Sequence, residues 1–120
     1  MDAKKVLVVD DEPSITEVLS YQFGTLGMEA VEVNSVSEAE KKLEDSSFDL
    51  ISLDINMPGK DGITFAEDLR RQGNQTPIVF VTAFVNERNK SRIKVIKNVL
   101  SVVPKPCDWN RMEKVLTNLL

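Results

Sequence analysis

Val6-Leu7-Val8-Val9 runs without interruption into Asp10-Asp11, and three later segments repeat the pattern. Leu50-Ile51-Ser52-Leu53 ends in Asp54, Ile78-Val79-Phe80-Val81 ends in Thr82, and Val99-Leu100-Ser101-Val102-Val103 leads through Pro104 to Lys105. Runs this apolar lack the alternation of a half-exposed strand, so each demands cover on both faces. As parallel strands of one sheet they would bring their C-terminal ends to one edge. Ligands bind at that edge in open parallel sheets. Three carboxylates, a hydroxyl and an ammonium would then converge there.

The segments between the runs carry helical periodicity. Pro13 suits a first helical turn, and Ile15, Val18, Leu19, Gln22 and Leu26 follow a stripe that Gly27 stops. Ala30–Val33 reads as a short strand. Ser35 with Glu38 forms a capping box ahead of a helix whose buried face is Ala39 and Leu43. Asp49–Leu53 is the third strand. Met57-Pro58-Gly59-Lys60-Asp61-Gly62 is loop by its Pro and Gly content. Ile63, Ala66 and Leu69 carry a third helix that ends near Gly73-Asn74. Pro77–Val81 is the fourth strand and Asn86–Lys97 a fourth helix with Ile93 and Ile96 inward. Val99–Val103 is the fifth strand. Asp108 caps a last helix striped by Met112, Val115, Leu116 and Leu119. Strict alternation of five strands and five helices predicts one α/β domain over residues 1–120, a doubly wound parallel sheet with helices on both faces.

Several classes of chemistry are excluded. There is no histidine, which removes Ser-His-Asp and Cys-His catalysis and histidine-ligated metals. The single cysteine, Cys107, has no intrachain partner, as in proteins of a reducing compartment. The formal net charge of -4 gives no global attraction to nucleic acid or to an anionic membrane. No run is long enough to span a bilayer. The expectation is a soluble cytoplasmic domain with no direct nucleic-acid or membrane partner.

Asp10 and Asp11 sit where either could cap the first helix, at its positive end. Capping does not account for Asp54 at the end of another strand. Like charges about 4 Å apart cost roughly 4 kcal/mol at an effective dielectric near 20, so the cluster needs a cation or a bound proton. With oxygen ligands only, in an open site, Mg²⁺ fits better than Ca²⁺. Thr82 and Lys105 beside one carboxylate would stabilise a phosphoryl group on it, the ammonium by charge and the hydroxyl by a hydrogen bond. Carboxylates are competent nucleophiles for that bond.

These residues resemble the receiver domain of two-component response regulators. The likeness rests on Val-Leu-Val-Val-Asp10-Asp11-Glu12-Pro13, on Asp54-Ile-Asn-Met-Pro58 followed by Gly62, on Thr82-Ala83 and on Lys105-Pro106, in order and along essentially the whole chain. It implies a flavodoxin-like (βα)5 fold with strand order 2-1-3-4-5. It implies Asp54 as phosphoacceptor, and Mg²⁺ held by Asp11, Asp10, Asp54 and the backbone carbonyl of Asn56. Lys105 would pair with the phosphoryl group, Thr82 would move to hydrogen-bond it, and Lys105-Pro106 would be a cis peptide. The phosphoryl donor would be a sensor histidine kinase or a phosphotransfer protein, and the domain would hydrolyse its own aspartyl phosphate. The fourth helix, fifth strand and last helix would meet a downstream protein or a second receiver, with Lys90, Lys94 and Lys97 offering a basic face.

Three positions depart from the family pattern. Val102 stands where an aromatic is usual, so the Thr82 shift is expected to pass through backbone and helix movement. Phe84 is bulky for a site mouth and is expected to slow loss of phosphate. Asn98 replaces a usual glycine and tolerates its left-handed backbone. Other classes fit less well. A haloacid-dehalogenase-like phosphatase needs a second acid where Asn56 stands. A flavodoxin-like phosphate loop would be repelled by Asp10-Asp11-Glu12, and no G-x-G-x-x-G is present for a dinucleotide. The alternative within the family is a degenerate or sink-type receiver that works as an interaction module, although none of the five site residues is lost.

Overall fold

The computed structural model describes residues 3–119. Strands β1 (Lys5–Val9), β2 (Glu29–Val33), β3 (Leu50–Leu53), β4 (Ile78–Thr82) and β5 (Val99–Pro104) alternate with helices α1 (Pro13–Thr25), α2 (Val36–Asp45), α3 (Gly62–Arg71), α4 (Glu87–Lys94) and α5 (Trp109–Leu116). The strands form one parallel sheet in the order β2-β1-β3-β4-β5. Each expected element is present, with its ends displaced by a few residues at most.

Three of the four apolar runs, β1, β3 and β4, are central strands with both faces covered, whereas the fourth, β5, is an edge strand on which Leu100 is exposed. Leu7, Val9, Ile51, Leu53, Ile78 and Phe80 pack in one core with Ile63, Phe65, Ala66 and Leu69 of α3. Val6, Val8, Leu50, Val79 and Val81 pack in a second core with Leu19 and Phe23 of α1 and Met112 and Leu116 of α5. Each fully buried side chain of this size contributes about 1.5–3 kcal/mol. Helix starts are set by local oxygen acceptors: Ser35 Oγ takes the Glu38 amide at 3.1 Å, Asp61 Oδ1 takes that of Thr64 at 2.8 Å, and Asp108 Oδ1 takes that of Arg111 at 3.2 Å. The Glu38 carboxylate reaches back to the Asn34 amide rather than to that of Ser35.

Two helices differ from the sequence expectation. Val18 is 56% exposed, and the inward residues of α1 are Thr16, Leu19 and Phe23. Thr16 is buried without penalty because its hydroxyl donates to Pro13 O at 3.0 Å and accepts from Asn34 Nδ2 at 3.2 Å. The fourth helix closes at Lys94 rather than Lys97. Ile96 is still buried beyond that end, while Lys97 leaves the Lys90–Lys94 face and lies beside Arg70, Arg71 and Val95. Asn98 has φ 60°, and the Lys105-Pro106 bond is cis.

Arg70 ties together the loops at the N-terminal ends of β4 and β5. Arg70 Nε donates to Lys97 O at 2.8 Å, Nη1 to Asn74 O at 2.9 Å, and Nη2 to Thr76 O at 2.8 Å and to Asn98 O at 3.3 Å. Asn98 Nδ2 adds a bond to Gln75 O at 2.7 Å.

Candidate functional site

The parallel arrangement brings the polar residues that follow β1, β3 and β5 to one edge, with Thr82 as the last residue of β4. Backbone bonds fix them there: the Asp54 amide donates to Val9 O at 3.0 Å, and the Lys105 amide donates to Thr82 O at 2.9 Å. Asp10, Asp54 and Thr82 are each 4% exposed or less. Burial of carboxylates this deep requires a counter-charge, and Lys105 supplies it. Its Nζ lies 2.6 Å from Asp10 Oδ2 and 3.0 Å from Asp54 Oδ2.

The electrostatics follow from that geometry. Burial raises the pKa of Asp54 above the ordinary aspartate value. The Lys105 hydrogen bond pulls it back down, and the nearby Asp10 charge adds to the rise. Burial also works against the charged form of Lys105, but its bonds to Asp10 and Asp54 outweigh that and hold its pKa above the usual lysine value. Lys105 is therefore a cation at neutral pH.

Asp11 is part of a second grouping. Carboxylate oxygens of Asp10, Asp11 and Glu12 all lie within 4.8 Å of one another. Glu12 lies outside the ligand set expected from the sequence, where it enters as part of the Asp10-Asp11-Glu12-Pro13 motif. Asp54 is not a member of this group and meets Asp10 through Lys105. An all-oxygen donor set next to a buried carboxylate fits a hard cation such as Mg²⁺. Asp10 belongs both to this group and to the lysine bridge.

On the other side of Asp54, Asn56 makes contacts that the sequence did not foretell. Its amide nitrogen donates to Asp54 Oδ1 at 3.4 Å, and its Nδ2 donates to Thr82 Oγ1 at 3.4 Å. The Thr82 hydroxyl in turn donates to Phe84 O at 3.5 Å. These long bonds leave Thr82 loosely held, so a better acceptor would redirect its hydroxyl. Phe84 itself is 68% exposed. It lines a groove of about 440 Å³ with Thr82, Ile93 and Val102, and Lys90, Lys94 and Arg111 also border it. Thr82 thus forms a wall shared by the carboxylate site and the groove.

Cys107 lies on the α1 side, in an apolar cavity of about 260 Å³ with Ile15, Leu19, Val81 and Lys105. Burial, with a smaller contribution from Asp108, pushes its thiol up to about 11. At pH 8 alkylation by iodoacetamide is expected to run roughly tenfold slower than for a thiol with the usual pKa of 9.0, because the smaller thiolate fraction outweighs the greater nucleophilicity of a more basic thiolate. A rate equal to that of a free thiol would show that Cys107 is not enclosed.

Comparison with known proteins agrees with this edge. Residues 6–117 match the family described as the response regulator receiver domain. The alkaline phosphatase synthesis transcriptional regulatory protein PhoP of Bacillus subtilis is 41% identical over 87 residues, covering 72% of this chain and 36% of PhoP. The sensor histidine kinase RcsC of Escherichia coli is 30% identical over 116 residues, 97% of this chain and 12% of RcsC. This chain therefore corresponds to only part of the length of either relative. Among solved structures, the Vibrio cholerae chemotaxis protein CheY4 superposes with TM-score 0.88 at 30% identity, covering 99% of this chain and 100% of that one. The response regulator TrrA of Thermotoga maritima, in complex with Mg(2+)-BeF, gives 0.85 at 31% identity, covering 98% and 99%. On the strength of the ordered strand-end residues, the 2-1-3-4-5 sheet and the match across residues 6–117, the chain belongs to the response regulator receiver domain family of two-component systems.

Proposed function

We propose that Asp54 accepts a phosphoryl group from the phosphohistidine of a sensor histidine kinase or phosphotransfer protein, and later loses it to water. The observation that carries this reading is the Lys105 ammonium bridging Asp10 and Asp54 at the sheet edge, with the Thr82 hydroxyl tied to Asn56 beside it. A carboxylate oxygen of Asp54 attacks phosphorus, the bond from phosphorus to the donor nitrogen breaks, and its electron pair leaves with the imidazole. Lys105 is placed to neutralise a phosphoryl oxygen, and Thr82 to donate to one by giving up Phe84 O. Asp10, Asp11, Asp54 and the Asn56 carbonyl would hold Mg²⁺, with Glu12 close enough to contribute. The ion's charge would offset that of the phosphoryl oxygens.

The output follows from the shared wall. When Thr82 turns toward phosphate, the backbone at Phe84 loses a hydrogen bond, and the groove between α4, β5 and α5 changes shape. Exposed Phe84 and half-buried Val102 offer apolar contact there, and Lys90, Lys94 and Arg111 give the rim positive charge. A downstream protein or a second receiver with acidic residues around an apolar side chain is the partner this surface suits. Phe84, two residues after Thr82, would also slow the approach of hydrolytic water if its exposed ring swings toward Asp54. Among the described residues no helix is long and apolar enough to cross a membrane, and we place the domain in the cytoplasm.

Incubation with phosphoramidate and Mg²⁺ tests the reading directly. Intact mass should show one added phosphoryl group on wild type and none on Asp54→Asn. A wild type that gains nothing would leave the family's degenerate, interaction-only form. Added mass on Asp54→Asn would move the acceptor elsewhere.

A further inference from the structure

We propose that Arg92 is a positioning residue that sets how readily Asp54 takes a phosphoryl group, by anchoring α4 in its resting place. This rests on the phosphoacceptor reading above.

Arg92 lies on α4 and reaches the first turns of α3. Its Nη2 donates to Glu67 Oε1 at 2.7 Å and to Thr64 Oγ1 at 3.1 Å, and its Nη1 lies 3.7 Å from Asp61 Oδ2. Those partners belong to the helix start that rests on the acceptor's own backbone. The Gly62 amide donates to Ile55 O at 2.9 Å, and a Cβ built on Gly62 would stand 2.0 Å from Asp54 O. Arg92 therefore ties α4, through α3, to the fixed backbone of Asp54 and Ile55.

The other connection from the acceptor to α4 is soft. It runs from Thr82 through Phe84 to the start of α4, by side-chain bonds of 3.4 and 3.5 Å. α4 itself is short and buries little: Ile93 within the helix and Ile96 just beyond it. Beside those two buried side chains, the side-chain hydrogen bonds and ion pair between α4 and α3 among the described residues are those of Arg92. A Thr82 shift that moves α4 must stretch this anchor. By linkage, any contact present only in the resting state weakens binding of the group that drives the shift.

The test is the apparent affinity for beryllofluoride with Mg²⁺, a phosphoryl mimic, read by amide NMR of α4 and residues 82–86. Arg92→Met keeps the apolar stem and loses the charge; Glu67→Gln removes the charge from the partner. Each is expected to bind about threefold tighter than wild type, the scale of a partly exposed ion pair. The double variant should bind no tighter than Arg92→Met alone, because both changes break one contact. Arg88→Met is the control, since Arg88 is exposed on the same helix and makes no ion pair among the described residues. In the absence of beryllofluoride, α4 amides of Arg92→Met should exchange faster than those of wild type. Unchanged or weaker binding in both single variants, with wild type still binding, overturns the role of Arg92 alone. Unchanged α4 exchange overturns the anchor itself. A wild type that binds no beryllofluoride overturns the phosphoacceptor reading and this inference with it.

Discussion

Lys105→Ala is expected to lose phosphorylation by phosphoramidate at least roughly a hundredfold, the scale of removing one charge-stabilising donor from a transition state, and to melt well below wild type. Both effects come from one geometry. Lys105 Nζ lies 2.6 Å from Asp10 and 3.0 Å from Asp54, and the two acids are almost wholly buried. Removing one partner of a buried pair leaves uncompensated charge and costs about 3–5 kcal/mol. The pH dependence separates this cause from a simple packing defect. Burial already raises the pKa of Asp54, with the Lys105 hydrogen bond opposing the rise. Without the lysine the folded pKa climbs further above its unfolded value. Such a group takes up protons on folding, so the variant gains stability as pH falls through that raised pKa and loses it as pH rises through it. Thermal melts at several pH values should therefore show the gap to wild type narrowing toward acid. A gap that stays constant would mean that the loss is not electrostatic.

Gly62→Ala is expected to lower the melting temperature by about 10 °C, from a cost of about 3 kcal/mol, and to reduce phosphorylation with it. The added methyl would lie 2.0 Å from Asp54 O and 2.9 Å from Asp54 C, both backbone atoms with no rotamer to change. Either α3 must lift or the acceptor's peptide must turn, and Ile55 O loses the Gly62 amide in the first case. Gly24→Ala makes the contrast. Gly24 is also in a helix, but a Cβ there meets nothing within 4 Å. That change should stabilise by about 0.5–1 kcal/mol through helix propensity alone. Similar behaviour of the two variants would dissociate the close approach of α3 from the acceptor's stability.

Much of this was readable from the chain because two signals coincide. Short, mainly apolar runs mark the strands, three of them covered on both sides, and a polar residue after such a run falls on the ligand edge. Asp10, Asp54 and Thr82 follow from that coincidence, and Lys105 lies one proline beyond its run. The reading failed where burial and polarity part company. Thr16 was passed over because it is polar, yet its hydroxyl is satisfied at both ends. Val18 is apolar and on the expected stripe, yet it is exposed, while Phe23, off that stripe, is wholly buried. The fourth helix looked longer because Ile96 and Lys97 extend its spacing, whereas the turn to Asn98 closes it early. Contacts between side chains of different elements, such as those of Arg92 with Glu67 and Asn56 with Thr82, depend on which neighbours the fold supplies. No local pattern encodes them.

Arg70 gives the opposite end of the sheet a different character. Its guanidinium binds four main-chain carbonyls, and burial pulls its pKa below the ordinary arginine value. Carbonyl dipoles do not titrate and carry no counterions. The fastening at this end is thus insulated from changes of acidity and ionic strength that act directly on the carboxylates and lysine at the other. One pole of the molecule answers to its ionic surroundings, and the other keeps time for it as a fixed mount.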